Sequence, residues 1–289
     1  MLWTLAQSFR HEKVLACTTV RMFPPPPDCY DNLLQQENAE SLGDPCAGIT
    51  FAGSFANDEG KVGSFSLDYL DQLIPRFDRV LIEADGSRRL PFKGWAAYEP
   101  VVPEAVTLTL VVIPVLPEGA MVTEEFVHRI PLFCDISGAL PGQAISSAHI
   151  AKLLAHSNGP LKNAKGNVVL FFNKVVTSDD VARACEVLAL LPKSSRKLFC
   201  RVLAGSAKDN AHSQWNSQPH EPRTPLHLFA VSCGTVDTRR VIRLGLAHLD
   251  VDEHDKSHQQ GADHAHRRQQ AKKVLHKIAD DLKDGEGRS

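Results

Sequence analysis

The chain carries seven cysteines, Cys17, Cys29, Cys46, Cys134, Cys185, Cys200 and Cys233, but no C-x-x-C pair. Their number is odd and their spacing irregular. That pattern excludes the dense disulfide framework of a small secreted domain and the paired thiolates of a zinc ribbon, and a reducing cytoplasm becomes the expected compartment. Excess charge of either sign is also lacking, since the formal net charge is −2. A broad nucleic-acid or membrane-surface footprint needs clustered surplus basic charge, so neither partner is expected. Long apolar runs are missing as well. The most apolar stretch, 106–116, falls far short of the roughly 20 residues that cross a bilayer. No basic segment leads into a long apolar core at the N-terminus, so no signal peptide is expected. No internal repeat is found.

What is present is a chain of 289 residues, 43% hydrophobic and 23% charged, enough for one large domain or two modest ones. Leu2, Leu5, Ala6 and Phe9 recur at helical spacing, and 14–19 reads as a short buried strand. A four-proline run, Pro24 to Pro27, must be extended. A helix is expected around 32–41, a strand over 50–55, a helix over 65–73 and a strand over 79–84. Next come a strand over 106–115, a partly helical 124–133 broken at Pro131, and a helix over 145–154 capped by Ser146 or Ser147. A strand over 168–172, a helix over 179–190, and strands over 198–203 and 226–231 complete the pattern, with a polar loop at 209–224. Strands alternating with helices over 1–248 imply a three-layer α/β domain around a mostly parallel sheet. Residues 249–289 are charged and His-rich, and read as a loosely ordered tail.

The strand over 79–84 delivers Glu83 and Asp85 to its C-terminal end, then Gly86, Arg88 and Arg89. Open α/β sheets build ligand sites at such strand ends. A carboxylate there can hold Mg²⁺, a glycine lets backbone approach phosphate, and guanidinium forks match phosphate oxygens. Lys93 adds a point charge. The plain alternative is an acidic turn with a surface ion pair. Thr18 and Thr19 end the early strand, where hydroxyls either contact metal or phosphate or simply cap the chain. Asn173-Lys174 ends another apolar run, and Ser206-Ala207-Lys208 ends the next. GTPase-like proteins place N-K-x-D and S-A-K loops in this order to hold a base. Here the acid of N-K-x-D is replaced by Val176, which offers guanine no acceptor. His128 and Arg129 are further candidates, with a structural role for the histidine the default. Both groups are expected on one rim of a shared sheet.

A phosphate loop of the form G-x-x-x-x-G-K-[ST] is not found. The near match at Gly60-Lys61 continues into Val62, has Phe55 at its first glycine position, and is rejected. The chain begins about where such a loop would end, so either its start lies upstream or the cradle has been lost.

The stretch 14–19 with its prolines, the block 81–93 (Leu-Ile-Glu-Ala-Asp-Gly-Ser-Arg-Arg-Leu-Pro-Phe-Lys), Glu99 to Pro103, Glu125 to Arg129 and Phe171 to Val175 together resemble the YqeC-like family. The resemblance covers about residues 1–235. It implies a P-loop NTPase-like fold with the first strand and Walker A loop missing from this chain. It also implies a cytoplasmic accessory protein for selenium cofactor biosynthesis and maturation of selenium-dependent molybdenum hydroxylases. On this reading Asp85 positions Mg²⁺, Glu83 supports it or orients water, and Arg88, Arg89 and Lys93 counter the charge of a nucleoside triphosphate or another anionic cofactor. Asn173, Lys174 and Ser206 border the base. A module that holds cofactor or client without turnover is the alternative. Selenium or redox handling through Cys17 is a third, against a default of a buried structural cysteine.

Overall fold

The computed structural model describes residues 2–35, 43–55 and 60–207, and the backbone of 229–231. The described residues form two compact units. The first takes those of Met1–Arg89 and Tyr98–Val106, and the second takes Leu90–Ala97 and those of Thr107–Ser289. Both units are α/β.

In the first unit, strands β1 (Lys13–Thr18), β2 (Asn32–Leu34), β3 (Gly48–Ala52) and β4 (Arg79–Glu83) pair in the order β2-β3-β1-β4. Every pairing is parallel. β1 is central and buried over 14–18, as a strand covered on both faces must be. Alternation along it sorts its side chains between two layers. Val14 and Ala16 face Ala6 of helix α1 (Leu2–Ser8), with Trp3 and Phe9 packed alongside. Leu15 and Cys17 face Tyr69, Leu70 and Leu73 of helix α2 (Leu67–Leu73), with Phe65 and Phe77. Each fully buried leucine of this kind contributes about 1.5–3 kcal/mol. Ser66 caps α2 by accepting from the Tyr69 N–H.

In the second unit, β6 (Leu108–Pro114), β8 (Asn167–Asn173) and β9 (Phe199–Gly205) pair in parallel, and β10 (Phe229–Val231) joins β9 antiparallel. A small parallel ladder joins β5 (Phe92–Lys93) to β7 (Val127–His128). Helices α3 (Ile130–Ser137), α4 (Ser147–Ala155) and α5 (Ser178–Leu190), with the short α6 (Lys193–Arg196), complete the unit. Phe133, Leu153, Leu154, Leu170 and Phe172 anchor its core. Ser146 caps α4 in a reciprocal capping box with His149, and Thr177 with Asp180 does the same for α5.

Three expectations need correction. β4 and β8 belong to different sheets in different units, so the acidic group and the Asn173 group do not share one sheet. Asn32–Leu34 is a strand, not the start of a helix, because Leu33 and Leu34 pair with Phe51 and Ala52 of β3. Pro131 does not break a helix. It stands in the first turn of α3, where its missing N–H has no helical partner to lose, and Gly138 closes that helix at φ +73°. Residues 209–224 and 249–289, with their expected loop and tail, lie outside the described residues.

Candidate functional site

The C-terminal edge of the first unit's sheet is built from the ends of β1 and β4. Their register sets Thr18 beside Glu83. The Thr18 hydroxyl lies 3.0 Å from both the Glu83 and Val20 carbonyl oxygens, and accepts from the Val20 N–H at 3.1 Å. The Thr19 N–H donates to the Glu83 carbonyl at 3.1 Å, and its hydroxyl donates to the Val101 carbonyl at 2.6 Å. Val101 N–H returns the chain to the Ala84 carbonyl at 3.1 Å. Both threonines are buried. Their hydroxyls are spent on main chain, so they act as ties between β1, β4 and 101 that fix where Glu83 and Asp85 leave the sheet.

Glu83 and Asp85 are half-buried. Burial, and after it the charge of Asp85, push the Glu83 carboxyl above its ordinary value. Gly86 turns back over this group, since a Cβ placed on it would stand 3.6 Å from Glu83 Oε1. Arg88 and Arg89 follow, exposed, with φ of +54° and +66°. Two successive non-glycine residues in the left-handed region cost roughly 1–2 kcal/mol each, a strain that concentrates at ligand-holding turns. The Arg89 guanidinium stands over the Phe23 ring at 5.6 Å, and Lys61 Nζ over the same ring at 5.2 Å. Neither Phe23 nor Lys61 is legible as a site residue in the sequence. They meet because Met22 bridges Val62 in antiparallel fashion, a long-range pairing with no local signature.

Lys93 belongs to the second unit, in β5. It is 3% exposed, with its ammonium 5.8 Å from the Trp95 ring. His128 lies in β7, and Arg129 precedes α3 at φ +61°.

In the second unit the structure brings Asn173 and the 206–207 turn together. Asn173 Oδ1 accepts from the Lys174 N–H at 2.9 Å and from the Ala207 N–H at 3.0 Å. Val175 N–H donates to the Gly205 carbonyl at 3.1 Å. The amide thus ties the exits of β8 and β9, while Lys174 is exposed at φ +64°. Ser206 is half-buried beside this tie, and Lys208 lies outside the described residues. Val176 is 65% exposed. The carboxylate four residues further on, Asp180, accepts from the Val176 and Thr177 N–H groups at the head of α5. Burial opposes its charge, but those donors and the Arg183 guanidinium outweigh it and hold the carboxyl below its ordinary value.

Cys17 is 1% exposed, and burial pushes its thiol up to about 12. A thiolate there is disfavoured at neutral pH, as in a structural cysteine. Among the described residues, no group of three or more His, Cys, Asp or Glu side chains is arranged to cage a metal, and no helix is long and apolar enough to cross a membrane.

Comparison with known proteins adds two findings. A family model described as "YqeC protein" matches residues 1–131. The curated "Uncharacterized protein YqeC" of Escherichia coli strain K12 is 32% identical over 186 residues, which cover 61% of this chain and 71% of that protein. No solved structure matches the chain.

Proposed function

The chain belongs to the YqeC family, and on that premise we propose that it is a nucleotide-binding accessory protein for selenium cofactor biosynthesis and the maturation of selenium-dependent molybdenum hydroxylases. The selenium assignment rests on the family resemblance. The observation that carries the nucleotide assignment is the placement of Glu83, Asp85, Gly86, Arg88 and Arg89 at the exit of a parallel strand. That is where open α/β sheets receive ligands, and it also supports a P-loop NTPase-like reading of the scaffold.

Asp85 and Glu83 are hard oxygen donors, and among the described residues no group of three or more acidic, histidine or cysteine side chains could hold a metal. This fits Mg²⁺, which keeps most of its water and takes one or two carboxylates together with substrate phosphates. Bound there, the ion would supply charge neutralisation for phosphate oxygens. Asp85 would hold it, and Glu83, whose raised affinity for protons follows from its burial, would orient water. Arg88 and Arg89 would take the remaining phosphate charge as bidentate donors. Thr18 and Thr19 hold the strand exits in place. Lys93 lies in β5 of the second unit and is buried there. Asn173, Lys174 and Ser206 are a separate candidate surface for a nucleobase, and Val176 supplies none of the acid that guanine selection uses.

A second reading, a module that binds without turnover, is favoured by the engagement of both threonine hydroxyls with carbonyl oxygens, which leaves them no proton for a ligand. Titration of the purified chain with ATP and GTP, with and without Mg²⁺, and a phosphate-release assay test both. Mg²⁺-dependent binding that Asp85→Asn abolishes supports the proposal, and turnover decides for catalysis. Failure of the wild-type chain to bind either nucleotide overturns the nucleotide assignment.

A further inference from the structure

We propose that Phe23, Lys61 and Arg89 form a polyphosphate-holding part of the same strand-exit site, so that its ligands are polyphosphate-bearing and not monophosphates; this rests on the nucleotide reading above. Phe23 is 51% exposed and belongs to no core cluster. It lies four residues beyond Thr19, and Arg89 lies four residues beyond Asp85. Thr19 and Glu83 are hydrogen-bonded to one another, so the two chain segments leave the sheet side by side. Four residues span at most about 14 Å, and the segments meet again where the Arg89 guanidinium stands over Phe23. Lys61 Nζ arrives on the same ring from the other side of the Met22–Val62 bridge.

The result is a pair of cations no further apart than the sum of their distances to one ring. Each stands over the face of an exposed aromatic, whose quadrupole attracts a cation and carries no net charge. Arg88, exposed and left-handed beside Arg89, adds a third cation. An ammonium and a guanidinium gathered on an uncharged platform suit several linked phosphates, since each takes a separate oxygen set and the ring demands nothing of the ligand. One orthophosphate engages fewer of these donors.

The test uses sodium tripolyphosphate and orthophosphate as probes, titrated into the full chain at low salt. Thermal melts confirm that Lys61→Gln, Arg89→Gln, Phe23→Ala and the control Lys197→Gln remain folded. Tripolyphosphate is expected to bind more tightly than orthophosphate, and Lys61→Gln and Arg89→Gln each to weaken it about tenfold. Phe23→Ala should weaken it by a smaller factor, because the cations remain but lose their platform, and Lys197→Gln should leave it unchanged. Equal weakening by Lys197→Gln, or none by Lys61→Gln and Arg89→Gln, overturns the inference. Nucleotide binding that depends on Asp85 but ignores Lys61 and Phe23 overturns it while the nucleotide reading stands. Tripolyphosphate binding that needs Lys61 and Arg89, in a chain that binds no nucleotide, upholds this subsite and removes the nucleotide reading.

Discussion

Replacing Asn173 with alanine removes one atom that serves two backbone donors, the N–H groups of Lys174 at 2.9 Å and Ala207 at 3.0 Å. The two losses are unequal. Lys174 is exposed, so water takes over its N–H and the net cost is a few tenths of a kcal/mol. Ala207 is half-buried, and its N–H loses a partner that water replaces poorly, at about 1 kcal/mol. The sum is about 1–2 kcal/mol, a substantial fraction of the stability of an ordinary domain. Asn173→Asp keeps an acceptor oxygen in place and should stay within about 0.5 kcal/mol of the wild type. Urea unfolding at neutral pH measures both variants, and hydrogen exchange at Ala207 isolates the local part. Exchange there should accelerate in Asn173→Ala and not in Asn173→Asp. An alanine variant as stable as the wild type, or an aspartate variant that loses as much as the alanine, would refute the assignment of Asn173 Oδ1 as the tie between β8 and β9.

Three further outcomes are expected. The Glu83 carboxyl is held above its ordinary value of 4.5 in the folded chain, so folding is favoured below that pH and the contribution is lost as pH rises through the folded value. Glu83→Gln should therefore raise the melting temperature at pH 7, flatten this part of the pH profile, and weaken Mg²⁺-nucleotide binding; a lowered melting temperature at pH 7 contradicts the assignment. Cys17, with its thiol pushed up to about 12, should resist iodoacetamide at pH 8 in the folded chain and react on unfolding, as peptide mass mapping will show. Gly166→Ala sets a Cβ 2.1 Å from the Thr107 carbonyl oxygen at φ +61° and should cost about 2 kcal/mol or more in urea unfolding, with a smaller loss counting against the observed turn.

Four strands were readable from an apolar run closed by a polar residue or proline. Lys13–Thr18, Arg79–Glu83, Leu108–Pro114 and Asn167–Asn173 all fall within two residues of their sequence-based bounds. Each is a parallel strand, and β1 and β8 are buried along most of their length, so apolar layers on their faces dictate their composition. The division into two sheets was not readable. Which edge strand pairs with which is a tertiary choice, and the excursion of 90–97 out of the first unit carries no compositional mark. The same limit hid β2, whose three residues are extended only because β3 lies alongside. At the site, Glu83, Asp85, Gly86 and the arginines are consecutive enough to be seen together. Phe23 and Lys61 are 38 residues apart in sequence and become neighbours only through one bridge, and Gly60-Lys61 attracted notice solely as a failed phosphate-loop match. Lys93 sits next to the acidic block in sequence, yet its strand pairs with β7 in the other unit, a pairing that has no local signature either.

Hydrogen-exchange mass spectrometry with and without saturating Mg²⁺-ATP or Mg²⁺-GTP tests the central claim most directly, because it locates the ligand as well as detecting it. Slower exchange is predicted at residues 20–23 and 84–89, and it should vanish in Asp85→Asn. Exchange unaltered at both segments under conditions of demonstrated nucleotide binding would contradict the account.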